Sequence, residues 1–144
     1  EKVLGKKRTS ENKAVKCLDS DFLVAILRAK SDAESKMESL DAEGDNATTT
    51  INAFELFYGA HKSTKKTKNV KEVFKLLDRL VVFDLTLEGS EVAGEITAIL
   101  ESDGKILDFR DIMIASIVKC HGLTLVTRNI EHFRRIEGLQ LESW

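Results

Sequence analysis

At 144 residues the chain has the size of a single domain with a real hydrophobic core. Its 42% hydrophobic and 32% charged residues describe a globular protein with a heavily solvated surface, and uncharged runs of at most about ten residues exclude a bilayer-spanning helix. The net charge of −2 is uneven: residues 2–16 and 61–71 (HKSTKKTKNVK, five lysines and no acid) are basic, 32–45 and 84–103 acidic. Such a run is either a solvated face or a contact for a phosphate backbone, and alone it decides neither.

Taken in chain order, residues 1–13 are polar, basic and unpatterned, and read as a flexible tail. AVKCLD (14–19) is a short buried strand, followed by a helix over about 21–29. The next helix lies between 31 and 44, where Ser31 and Asp32 are its expected caps and Gly44 its end. NATTT (46–50) is β-branched and strand-like. INAFELFYGA (51–60) is helical, with Ile51, Phe54 and Phe57/Tyr58 three or four apart, and a further helix covers 68–80. VVFDL (81–85) is a strand, 90–104 a helix closed by Gly104, and 108–122 a helix capped by Asp108 and ended by Gly122. LTLVT (123–127) is a strand, and GLQLES a short last one. Strands alternating with helices of this length predict a three-layer α/β/α domain with a central, mostly parallel sheet over 14–144. Both Cys17 and Cys120 lie in apolar stretches and read as buried free thiols. No N-terminal segment has the order of a signal peptide, so the expected compartment is the cytoplasm.

Four groups stand out because they place polarity at edges of the core. Asp19 ends the first strand, Glu55 is the sole charge in INAFELFYGA, Asp111 precedes the uncharged run IMIASIV, and Asn129 follows LTLVT. Each has a structural explanation: Asp19 as an N-cap, Glu55 as partner of Asn52 in an N-x-x-E capping box, Asp111 against its helix dipole, Asn129 in a turn. Taken singly, capping is the better account. Together, acids at buried helix starts near strand ends converge, and two carboxylates about 5 Å apart repel by roughly 3 kcal/mol at an effective dielectric near 20. A cluster of that kind takes up protons or binds a hard cation. At neutral pH the divalent ion is the stronger answer.

Other chemistries find no support. G-S-E-V-A-G (89–94) has P-loop spacing, but Glu95 and Ile96 stand where Lys and Ser/Thr are needed. There is no G-x-S-x-G elbow, and His61, His121 and His132 lack metal-ligand spacing.

LDSDFLVAIL, TTTINAFELFYGA and the block AGEITAILESDGKILDFRDIMIASIVKCHGLTLVTRNIEHFRRIEGLQLESW occur in the order and spacing of one family. The chain resembles PIN-domain ribonucleases of the VapC toxin type over about residues 14–144. The resemblance places the family's acids at Asp19, Glu55 and Asp111 and its fourth site residue at Asn129. It departs at Asp21, where Asn is more usual, at Asn129, where the family uses Asn or Asp, and in the basic tail.

The resemblance implies a Mg2+- or Mn2+-dependent endoribonuclease, the toxin of a type II toxin–antitoxin pair. Asp19 and Asp111 would be the direct metal ligands, Glu55 and Asn129 direct or water-mediated ones, and Ser20 and Thr127 hydrogen-bond donors to the carboxylates. Arg128 or the lysines of 62–71 would touch the RNA backbone. Implied partners are RNA, a second copy in a homodimer and a VapB-like antitoxin, with no membrane. Two other readings stay open: a non-cleaving PIN-like domain that binds RNA or a protein, and, far behind, a phosphoacceptor signalling domain, for which the late strand offers Arg128 but no lysine.

Overall fold

In β1 (Lys16–Leu18) successive side chains take opposite faces of the sheet, as the two-residue period of a strand requires. Cys17 joins one apolar cluster and Leu18 the other. The same split recurs in β4 (Thr124–Val126), where Leu125 goes with Cys17 and Val126 with Leu18. The computed structural model describes residues 15–144; the basic tail expected at 1–13, and Ala14, lie outside the described residues. With β2 (Asn46–Thr49), β3 (Val81–Phe83) and β5 (Gln140–Glu142) the strands form one sheet in the order β3-β2-β1-β4-β5. Every neighbouring pair is parallel, so the sheet is wholly parallel.

Four helices cover the Leu18 face. They are α1 (Ser20–Leu27), α2 (Ser31–Glu43), α3 (Thr50–Lys62) and α4 (Lys66–Leu77). Phe22 and Leu23, Met37 and Leu40, Leu56 and Ala60, and Val73 and Leu76 are their buried contributions to one core. On the opposite face α5 (Thr86–Ser102) and α6 (Phe109–Cys120) bury Ile96, Leu100, Ile112, Ile114 and Val118 with Cys17, Leu123 and Leu125. A single-turn α7 (Ile130–Phe133), absent from the sequence-based expectation, seats Phe133 in that second core. This is the three-layer arrangement. No helix among the described residues is long and apolar enough to cross a membrane.

Several local expectations change. Thr49, the last strand residue, is the N-cap of α3: its hydroxyl accepts from Ile51 N and Asn52 N. Asn52 is therefore the third helical residue, and the N-x-x-E capping box does not form. Ser31 lies inside α2, whose N-cap position is Lys30 without a side-chain bond, whereas Asp108 does cap α6 by accepting from Arg110 N. α5 starts at Thr86, before the expected residue 90. Thr86 bends the chain into it at φ 61, a costly left-handed conformation for a β-branched residue, and its hydroxyl accepts from Gly89 N. Gly122, at φ 61, reverses the chain after α6 as expected. Cys17 is fully buried and burial pushes its thiol pKa up, but Cys120 is half-buried rather than enclosed. In α3 the buried stripe is Asn52, Ala53, Leu56 and Ala60, which leaves Phe54 and Tyr58 facing outward.

Candidate active site

β1 and β4 lie side by side with Leu18 opposite Val126, so Asp19 and Thr127 leave the sheet together. Here the strand order turns from β1-β2-β3 to β4-β5, the crevice at which open parallel sheets take ligands. Connectivity brings three helix starts to the same edge. α1 and α3 follow β1 and β2 directly, and α6 runs antiparallel to β4 before Gly122 turns the chain, which leaves its first turn at the carboxyl ends. Helix starts carry unpaired N–H groups and partial positive charge, and so attract acids.

Asp19 is enclosed, with 7% of its surface exposed. Its Oδ1 accepts from Ser20 N at 2.9 Å and Asn52 Nδ2 at 3.0 Å, and its Oδ2 from Thr127 Oγ1 at 2.7 Å. Burial outweighs these donors and pushes its pKa from 3.8 up to about 7, with the charges of Asp21 and Asp111 adding to the rise. The charged form is disfavoured by on the order of 4 kcal/mol.

Glu55 is held by its neighbours. Ser20 Oγ donates to its Oε1 at 2.5 Å, and Arg110 Nη1 stands 3.8 Å from Oε2. Ser20 in turn accepts from Asn52 Nδ2 at 2.9 Å, and Thr49 Oγ1 donates to Asn52 Oδ1 at 2.7 Å. A single fully buried amide thus couples both carboxylates to the cap of α3. Asp111, half-buried in the first turn of α6, has its pKa pushed up to about 6 by burial first and then by the charges of Asp108 and Glu55, against His132 and Arg110. Asp19, Glu55 and Asp111 therefore form one electrostatic cluster.

Asn129 lies beside it. Its backbone N donates to Thr127 Oγ1 at 2.9 Å, and its side-chain oxygen stands 2.6 Å from His132 Nδ1. Asp21 stands at the edge of the site: its Oδ2 accepts from Arg128 N at 2.9 Å and lies 3.3 Å from Thr127 Oγ1, and its Oδ1 accepts from Trp144 Nε1 at 3.4 Å. Arg128 stacks on the Trp144 ring at 3.5 Å and pairs with Asp32 at 2.6 Å. Among the described residues no three His, Cys, Asp or Glu side chains already stand in a ligating arrangement.

Two further residues belong to the site, Asn52, which the sequence offers only as a cap partner, and His132, which lacks metal-ligand spacing. Asn52 carried a signal, a polar residue four before the core Leu56 on a helix stripe that is otherwise apolar. His132 had none, because its place depends on the unforeseen α7.

The PIN domain family model matches residues 16–139. Ribonuclease VapC2 of Rickettsia felis is 34% identical over 128 residues, which cover 88% of this chain and 96% of the relative. The solved complex VapBC2 of Rickettsia felis, bound to a DNA fragment from its promoter, superposes with a TM-score of 0.84 over 90% of this chain and 98% of that one, at 34% identity. DNA-bound VapBC of Salmonella typhimurium gives 0.83 at 28% identity, covering 92% and 99%. With the sheet order, the acidic crevice and these likenesses in agreement, the chain belongs to the PIN-domain family and is of the VapC ribonuclease type.

Proposed function

We propose that this protein is a divalent-metal-dependent endoribonuclease, the cytoplasmic toxin of a toxin–antitoxin pair, with residues 14–144 as its one catalytic domain. The observation that carries the reading is Asp19, a carboxylate enclosed at the switch point of the sheet and charged only against its burial. The donor set fits a hard cation. It consists of oxygens, and its two central acids, Asp19 and Asp111, both titrate high, pushed up first by burial and then by the charges of neighbouring acids. Asp19 and Asp111 would hold Mg2+ or Mn2+ directly, with Glu55 and Asn129 joining directly or through water. A bound ion supplies an activated water and neutralises charge on the phosphoryl oxygens.

The chain's own residues set the geometry. Thr127 Oγ1 and Asn52 Nδ2 each hold one oxygen of Asp19, so the carboxylate cannot rotate. Ser20 aims Glu55. Arg110, at the rim with 45% of its side chain exposed, is placed to meet a phosphate that enters beside Glu55. RNA as substrate and a VapB-like antitoxin as partner are supported by the relatives' names, a ribonuclease and two VapBC complexes, and a homodimer completes the proposed assembly.

The test is a gel assay of purified protein on mixed RNA with Mn2+, run against Asp19→Asn. Wild-type cleavage should exceed that of the variant by at least about 100-fold, the scale of removing one strong electrostatic interaction with the reacting centre. Equal cleavage by both would point to a contaminating nuclease and overturn the assignment. RNA binding without cleavage by the wild type would favour the non-cleaving reading.

A further inference from the structure

On α3, Glu55, Tyr58 and Lys62 are spaced i, i+3 and i+7, so they line one stripe of the helix. The stripe begins in the acidic crevice and climbs about 10 Å away from it at 1.5 Å per residue. Its aromatic part is open: Phe54 and Tyr58 are 54% and 53% exposed, and their rings lie nearly parallel, 13° apart with centroids at 6.2 Å. Lys62 Nζ stands 4.9 Å over the Tyr58 ring. Beyond it the basic run continues through Lys65, Lys66, Lys68 and Lys71, all exposed, into α4. Buried aromatics hold a core together, whereas these two leave more than half of their surface open. Flat rings followed by unopposed cations match the alternation of base and phosphate in a single strand.

We propose that this stripe is a binding track for single-stranded RNA, on which a base next to the scissile phosphate stacks on Phe54 and Tyr58 while the lysines from Lys62 onward hold the phosphates that follow. The track rests on the nuclease reading, since it leads out of that site. Its occupant is a polyanion because the run from 61 to 71 holds five lysines and no acid. A protein partner laid on the same face would have to supply matching acids.

The experiment uses the full chain carrying Asp111→Asn to stop turnover, and measures anisotropy of a fluorescein-labelled, mixed-sequence 12-nucleotide RNA over a salt series. Tyr58→Leu should weaken binding about tenfold, the scale of one missing base stack, and Tyr58→Phe should restore it. Lys62→Gln with Lys65→Gln should lower the slope of log affinity against log salt by about 0.7 for each phosphate no longer neutralised. Wild-type affinity and salt slope in all of these variants would overturn the track. So would an unchanged RNA affinity joined to loss of antitoxin binding, which would give the face to the protein partner. The cleavage assay with Asp19→Asn reports on the nuclease reading separately, because it leaves Tyr58 and the lysines untouched.

Discussion

A carboxylate that accepts three hydrogen bonds would ordinarily titrate low, yet Asp19 titrates near 7. The reason is burial first, which a neutral hydroxyl, an amide and one backbone N–H do not offset, and then the negative charges of Asp21 and Asp111. Linkage fixes the sign of the consequence. Because the folded-state pKa lies above 3.8, the stability tied to protonated Asp19 is full below that pH and is lost as pH rises to about 7. Asp111 behaves likewise, with its loss complete near pH 6. Asp19→Asn, which keeps an acceptor for Asn52, should therefore melt several degrees above the metal-free wild type at pH 7.5 and match it near pH 4, as followed by circular dichroism. Adding Mg2+ or Mn2+ should narrow the gap at pH 7.5, since an ion at 100 times its Kd stabilises the folded wild type by about 2.7 kcal/mol and leaves the variant unmoved. A variant with the wild-type pH profile would show that Asp19 is not the group under strain.

At the scale of elements, α3 joins stability to chemistry. Its N-cap Thr49 has no exposed surface and makes three hydrogen bonds, two to helix N–H groups and one to Asn52. Thr49→Val keeps the shape and removes all three. The expected cost is about 1–2 kcal/mol from the missing cap alone. Asn52 would also lose the bond that fixes its amide toward Asp19 and Ser20, so cleavage should fall about tenfold at a temperature where the variant is fully folded. Urea unfolding and single-turnover cleavage measure the two effects separately, and a stability loss with unchanged cleavage would confine Thr49 to capping. The sequence marked α3 as helical and Glu55 as its odd residue. It offered Asn52 only as a capping partner of Glu55, because a cap is decided by where the strand stops, and β2 ends at Thr49, one residue before the end of the expected strand.

For the whole molecule, the sheet edge beyond β4 is closed by contacts distant in sequence. Trp144 packs edge-on against Phe22 at 5.0 Å, carries Arg128 on its face and donates to Asp21. Glu142 accepts from Lys16 and Lys36, both at 2.5 Å. Arg128 and Asn129 form the loop after Thr127, so the clasp fixes one wall of the crevice. Trp144→Ala should destabilise the protein by about 3 kcal/mol, the lower end for an aromatic truncation because the ring is only half-buried. It should also weaken the Mn2+ dependence of melting by freeing that loop. An unchanged response to Mn2+ would separate the clasp from the site.

The sequence alone determined the order of strands and helices apart from α7, the layered α/β class and the three acids at core edges, because periodicity and composition act over a few residues and need no partner. The short block motifs carried the family for the same reason. Only the tertiary structure decided what those acids touch. It drew Asp21 and Arg128 into the Trp144 clasp, set Asn52 between Asp19 and Ser20, turned Asn129 toward His132 and left Phe54 and Tyr58 outside. The contacts of Asp21, Arg128 and Asn52 depend on which chain segments the parallel sheet sets side by side, and contacts across about 30 to 120 residues leave no mark on local spacing.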